Sequence, residues 1–271
     1  MNRPLVAIVL LALVSVLAWK SMPADDPAPR ELTGRSMGTT WKLAWRGPAT
    51  PQLAREVTQV LDHWEQVLSQ WRADSDLSRF NRGEPPTAEL ARVLALAENV
   101  RIASGGAFDH RILEDVHRAG FGPAGTGVDL SAIGKGFAVD RVGERLAQLG
   151  VNDFIFELGG EVLAGTGSWP VAIETPNPSH PAPGRQLTLT NRALATSGNY
   201  RQFVATGEML KSHLIDPRTR EPVLRRPTAV SVLAGDCATA DAWATALFVL
   251  GPSFTDLPSG LEVIWQLPPT P

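Results

Sequence analysis

The stretch from Val128 to Asp140, VDLSAIGKGFAVD, constrains this chain more than any other. An acidic residue, a hydroxyl and a tight Gly-Lys-Gly run directly into an amphipathic helix. Ser131 is expected to cap that helix. A helix start offers orphan backbone N–H groups and the positive end of the helix dipole, so it attracts anions. Gly134 and Gly136 would let the backbone approach a ligand closely. Lys135 would add a mobile cation for phosphate, and Asp129 could accept hydrogen bonds from a sugar or a ring. Together these residues read as the edge of a pocket for a phosphorylated cofactor. The bland alternative is a buried strand turning into a core helix, with the glycines there for packing and the lysine solvated.

The chain of 271 residues is long enough for a sizeable core. Net charge is −3, which leaves no basic footprint for nucleic acid. The single cysteine, Cys237, excludes an internal disulfide. Near the N-terminus an apolar run, Leu5 to Trp19, lies between Arg3 and Lys20. Residues 1–22 therefore read as a signal peptide or an uncleaved membrane anchor, with a proline-rich linker at 23–30 and the folded domain at 31–271.

Hydrophobic periodicity of three and four predicts a helix over Pro51 to Trp71 and a second over Ala88 to Ser104, the latter ended by Gly105-Gly106. A third runs from the Gly-Lys-Gly to about Leu149, and a fourth from Cys237 to Leu250, capped by Asp236. Strands are expected at Gly34 to Trp45, Phe154 to Leu158, Trp169 to Glu174, Gln186 to Thr190, Ala193 to Thr196, Ala229 to Ala234 and Leu261 to Gln266. Glu161 to Ala164 is expected to continue the second of these past a bulge. Asp76 to Asn81 reads as a turn and loop, and Asn177 to Gly184, which contains His180, as an exposed loop. Strands so closely spaced argue for antiparallel sheet.

Several isolated residues invite a functional reading beside a structural one. Met37 sits in a Gly-containing turn, where core packing is the commoner role. Trp71 ends its helix and could face either the core or a ligand. Ala107-Phe108-Asp109 could present a ring and a carboxylate to a planar group, or simply turn a corner. His213, beside apolar residues, could be structural, and Asp216 could merely close the Asp216-Pro217 turn. Asp241 and Thr245 stand four apart, hence on one helix face, and offer two oxygens to a hard cation such as Mg²⁺.

No one of these features is decisive, but their order is. SMGTTW, SDLSRFN, GGAFD, VDLSAIGKGFAVD, ELGGEVLAGTGSWPVAIETP, ATSGNY, SHLIDPRT and ATADAWATALFVLG follow one another between Ser36 and Gly251. In these blocks the sequence resembles the ApbE family of FAD:protein FMN transferases, from about Gly34 to Trp265. The resemblance implies an α+β fold of antiparallel β-sheets packed with helices, a two-lobed single domain with the flavin between the lobes. It implies Mg²⁺-dependent transfer of the FMN part of FAD to a threonine of an acceptor protein, with release of AMP. Carried over block by block, Met37, Trp71, Ala107, Phe108, Asp109, Asp129, Lys135 and Ile215 would line the FAD site. The Ala132 carbonyl and the Asp241 and Thr245 side chains would hold the metal. His213 is the candidate base, or the residue that holds the acceptor loop, with Asp241 less free for proton transfer if it ligates metal. The family's usual clients are membrane redox subunits exposed to the periplasm.

Two departures stand out. The family usually has Gly after the Asp-Pro-x-Thr run, where this chain has Arg220, and the lipoprotein cysteine is missing. Two other activities would use the same site: Mg²⁺-dependent FAD hydrolysis, with water as acceptor, and non-enzymatic flavin binding.

Overall fold

The computed structural model describes residues 14–15, 28–48, 51–177, 179, 182–207 and 209–267. The expected signal or anchor segment lies outside the described residues except for β1 (Val14–Ser15), and so does His180. Among the described residues no helix is long and apolar enough to cross a membrane.

The remaining strands are β2 (Arg30–Ser36), β3 (Thr39–Trp45), β4 (Phe154–Leu158), β5 (Glu161–Ala164), β6 (Trp169–Glu174), β7 (Pro183–Leu189), β8 (Arg192–Gly198), β9 (Phe203–Thr206), β10 (Met209–Asp216), β11 (Glu221–Arg225), β12 (Ala229–Ala234) and β13 (Glu262–Gln266). The helices are α1 (Leu53–Leu68), α2 (Asp76–Asn81), α3 (Ala88–Ala103), α4 (Leu113–Arg118), α5 (Gly134–Gln148) and α6 (Cys237–Leu250). A seven-stranded sheet in the order β13-β12-β8-β5-β4-β3-β2 is antiparallel throughout. Two smaller sheets, β1-β6-β7 and β11-β10-β9, flank it. The expected α+β class with antiparallel sheets is borne out.

The large sheet is covered on both faces. Trp41, Leu43, Phe154, Phe156, Leu158, Val230 and Val232 point into one core with α1, α3, α5 and α6. Their neighbours Ala44, Ile155, Val162, Leu194 and Leu233 point the other way, onto Trp169, Val171 and Ile173 of β6. This double burial explains why β4 reads FIFEL, a run without polar alternation. Each large side chain so enclosed contributes about 1.5–3 kcal/mol.

Several local expectations need correction. The β2–β3 hairpin turns on Met37 and Gly38, both at positive φ (48° and 73°), as a two-residue turn between twisted strands requires. β5 does not continue β4 past a bulge. Gly159 and Gly160 reverse the chain, and Leu158 pairs with Glu161. Asp76–Asn81 is helical, because the Ser75 hydroxyl caps it by accepting from Ser78 N at 3.0 Å. The Asn199-Tyr200 corner, polar in composition, is buried. Asn199 brackets the next crossing through Thr228 N and the carbonyls of Arg225 and Arg226.

Candidate active site

The site lies where the N-terminal ends of α5 and α6 meet the start of β5 and the bulged middle of β10. Gly136 permits the meeting. A Cβ there would sit 2.3 Å from the Cys237 carbonyl oxygen and 2.8 Å from Asp241 Cβ, so only glycine lets the two helices pack this closely. Close approach was expected toward a ligand; it is made toward α6. Nor does Ser131 cap α5. The N-cap is Ile133, without a side-chain hydrogen bond, and Ser131 N instead donates to Asp129 Oδ1 at 2.7 Å.

Asp241 is buried and accepts from Gly136 N at 3.1 Å. Continued one turn back, a regular helix would give that N–H to the carbonyl of Ala132. Asp241 takes it, and no hydrogen bond reaches the Ala132 oxygen among the described residues. A free carbonyl is thereby left on the turn that Asp241 touches. Thr245 is one turn further along α6, its hydroxyl 3.1 Å from Ser197 Oγ. Burial raises the pKa of Asp241 despite the nearby Lys135. A buried carboxylate with a single N–H donor is short of positive charge. Asp241, Thr245 and the Ala132 carbonyl offer oxygens of the hard type that a small divalent cation takes. No cluster of three His, Cys, Asp or Glu residues suited to a metal occurs among the described residues, so any cation here would rely on hydroxyl, carbonyl and substrate oxygens.

Lys135 is not a mobile cation. Its Nζ lies 2.5 Å from Glu161 Oε1, and the Glu161 side chain is 2% exposed. Burial disfavours the ammonium, but Glu161 and Asp241 more than offset it and hold Lys135 protonated. Burial raises the pKa of Glu161, against the pull of Lys135. The second carboxylate oxygen of Glu161 is buried without a hydrogen bond.

His213 occupies a break in the β10–β11 ladder between Lys211 and Ile215, and bulges of this kind re-aim side chains near active sites. Its Nδ1 faces the Gln202 carbonyl at 3.2 Å. That nitrogen must therefore carry the proton, which leaves the lone pair on Nε2. Burial lowers its pKa to about 4, with Lys135 acting in the same direction, so the ring is neutral near pH 7. Ile215 follows it, buried.

The other expected site residues lie on loops. Trp71 falls beyond α1 and is 67% exposed, so it is not core. Its N–H and that of Arg72 donate to the Ser69 hydroxyl. Asp129 is buried, and its N–H donates to the His110 carbonyl at 2.8 Å, joining this loop to the Ala107–Asp109 turn. The Gln70 amide, oriented with its nitrogen toward the carboxylate, reaches Asp129 Oδ2 at 2.9 Å. Burial raises the Asp129 pKa, opposed by Ser131 and Gln70. Ala107 and Phe108 are both buried, and the Phe108 ring belongs to the helical core. A planar ligand would therefore meet the backbone of this turn, not that ring. Asp109 is held by Arg111 through both carboxylate oxygens. Met37 N donates to Glu65 Oε2 at 3.2 Å, which ties the hairpin turn to α1.

Four contributors went unnoticed in the sequence. Glu161 and Asp140 sit inside recognisable blocks, but their partners are distant in the chain. Gln70 looks like an ordinary polar residue at a helix end. Asn81 brackets Val128, with Nδ2 donating to its carbonyl and Oδ1 accepting from its N–H, both at 2.8 Å, and so fixes the approach to Asp129.

The ApbE family model matches residues 37–127 and 121–264. An FAD:protein FMN transferase from Vibrio cholerae serotype O1 is 31% identical, covering 90% of this chain and 87% of that protein. One from Escherichia coli K12 is 28% identical, covering 86% and 82%. Among solved structures, the flavin transferase ApbE from Vibrio cholerae aligns with a TM-score of 0.70 at 29% identity, over 83% of this chain and 88% of that one. The apo flavinyl transferase ApbE of Pseudomonas stutzeri gives 0.74 at 29%, over 86% and 88%. With eight sequence blocks in order, this fold and these matches over nearly the whole described chain, the protein belongs to the ApbE family.

Proposed function

We propose that this protein transfers the FMN moiety of FAD to a threonine hydroxyl of an acceptor protein. The observation that carries this reading is the junction of α5 and α6, where Asp241 takes the Gly136 N–H that a regular helix would give to the Ala132 carbonyl. In the proposed reaction the threonine oxygen bonds to the FMN phosphorus. The bond from that phosphorus to the bridging oxygen breaks, and AMP leaves with the bridging oxygen. The acceptor proton passes to a base.

Asp241, Thr245 and the Ala132 carbonyl would hold Mg²⁺. Such an ion, when bound, supplies a Lewis acid and a template for the diphosphate. Lys135, fixed by Glu161, places a permanent positive charge at the same end and stabilises charge on the transferred phosphoryl group. The Nε2 lone pair of neutral His213 suits it to receive the hydroxyl proton. Trp71, Met37, Asp129 and the backbone of Ala107–Asp109 would bind the nucleoside and flavin parts. The apolar run at Leu5–Trp19 supports an enzyme held at, or exported across, the cytoplasmic membrane, with periplasmic membrane redox subunits as acceptors.

The test is the intact mass of an acceptor polypeptide carrying one threonine after incubation with FAD, Mg²⁺ and the enzyme. Transfer predicts a fluorescent adduct of FMN less water and an equal amount of AMP. FMN and AMP without an adduct would assign a hydrolase, and unchanged FAD would leave only a flavin-binding role.

A further inference from the structure

Two carboxylates cap the start of α6, and they differ in kind. Asp236 precedes the helix in the chain and accepts from Thr239 N at 2.8 Å. Asp140 reaches across from α5: its Oδ1 accepts from Cys237 N at 2.7 Å and its Oδ2 from Ala238 N at 2.9 Å. Asp140 stands four residues after Gly136, on the same face of α5. The Gly136 contact and the Asp140 contact therefore pin α6 to α5 at two points one turn apart. Asp140 and Asp236 also consume N–H groups at the start of α6 that would otherwise bind an anion.

We propose that Asp140 is a positioning residue: by clamping the first N–H groups of α6 to α5 it sets Asp241 against the Ala132–Gly136 turn, and so governs the affinity for a divalent cation. This rests on the assignment of Asp241, Thr245 and Ala132 as the cation's ligands. Asp236 provides the control, because its capping hydrogen bond stays within α6 and does not clamp the helix to α5.

The experiment titrates Mn²⁺ alone into the wild type, Asp140→Asn and Asp236→Asn, followed by electron paramagnetic resonance. Thermal stability is measured alongside, as is FAD affinity in EDTA. Asp140→Asn is expected to raise the Mn²⁺ Kd roughly tenfold or more while FAD affinity in EDTA stays within about twofold. Asp236→Asn removes the same charge but keeps a good N-cap, and is expected to leave thermal stability nearly unchanged and the Mn²⁺ Kd within about twofold. An unchanged Kd in Asp140→Asn, or equal weakening in both variants, would overturn the proposal. Should Asp140→Asn fail to fold, Asp140→Ser, which keeps one acceptor, is judged by the same criteria. Wild-type Mn²⁺ affinity in Asp241→Ala would instead refute the ligand assignment itself.

Discussion

The two ends of the proposed site, one for the phosphates and one for the ring, are built differently. At the phosphate end, Asp241 and Thr245 stand on α6, Lys135 on α5 and Glu161 on β5, all tied to the central core. The Asp241 and Glu161 carboxyls are buried, and the part-exposed Lys135 ammonium stands against them. At the ring end, Trp71, Asp109 and Asp129 stand on loops that side chains bracket to the backbone: Asn81 to Val128, Asp129 to Ser131, Ser69 to Trp71. A phosphoryl transfer needs atoms held to a fraction of an ångström, which helices and strands provide. Binding a flat ring needs surface and shape, which bracketed loops can supply. Substitutions at the phosphate end should therefore strike turnover and pH response, and those at the ring end affinity and local stability.

The largest effect expected is on turnover. Asp241→Ala should reduce Mg²⁺-dependent transfer on the order of a thousandfold, since a ligand of the proposed metal contributes several kcal/mol to the barrier. FAD binding in EDTA should remain. Equal loss of both would erase the distinction between the two ends. Next comes a pH effect on stability. Glu157, buried on β4 with Gly160 N donating to it, is pushed by burial from 4.5 up to about 7. Its folded form keeps a proton that the unfolded chain releases earlier. Its stabilisation is thus full below about pH 4.5 and is lost as pH rises through 7, a total of about 3 kcal/mol. Glu157→Gln should flatten the unfolding free energy across that window; an unchanged slope in denaturant titrations would contradict the shift.

At the ring end the effects shrink. Asn81→Ala removes two hydrogen bonds to backbone groups that are hard to satisfy otherwise, and should cost about 1–3 kcal/mol of stability. It should raise KM for FAD more than it lowers kcat. Trp71→Ala should weaken FAD binding roughly fivefold, from a lost stacking contribution of about 1 kcal/mol. It should shift thermal stability little, because the ring is solvent-exposed. A large stability loss would mean that Trp71 packs after all. Smallest is Arg220→Gly. Arg220 sits at φ 60°, with its N–H donating to the Asp216 carbonyl at 2.7 Å, a left-handed conformation that glycine adopts freely. The substitution should stabilise the protein by up to about 1 kcal/mol, without changing FAD affinity, as read by calorimetry.

The contrast between the two ends also explains what the sequence disclosed. That Asp241 and Thr245 share a helix face was legible from their four-residue step, but a metal role came only with the resemblance. The strands β4, β6 and β12 and the helix α6 had their bounds readable to the residue, because burial and caps mark their ends. The ring-end residues were raised one by one from their chemistry and gathered into one site only by the resemblance, because loop geometry depends on partners distant in the chain. Phe108 shows the limit: the Gly-Gly-Ala turn marks the corner, but not that the ring turns inward. The strands β9 and β11 and the helix α4 escaped notice because short segments carry too few residues for a period to emerge.

The most direct test is the anomalous diffraction of crystals soaked with Mn²⁺ and FAD. The account predicts one strong peak within coordination distance of Asp241, Thr245 and the Ala132 carbonyl oxygen, touching the diphosphate, and its disappearance in Asp241→Ala. A peak elsewhere, or one that survives that substitution, would contradict it.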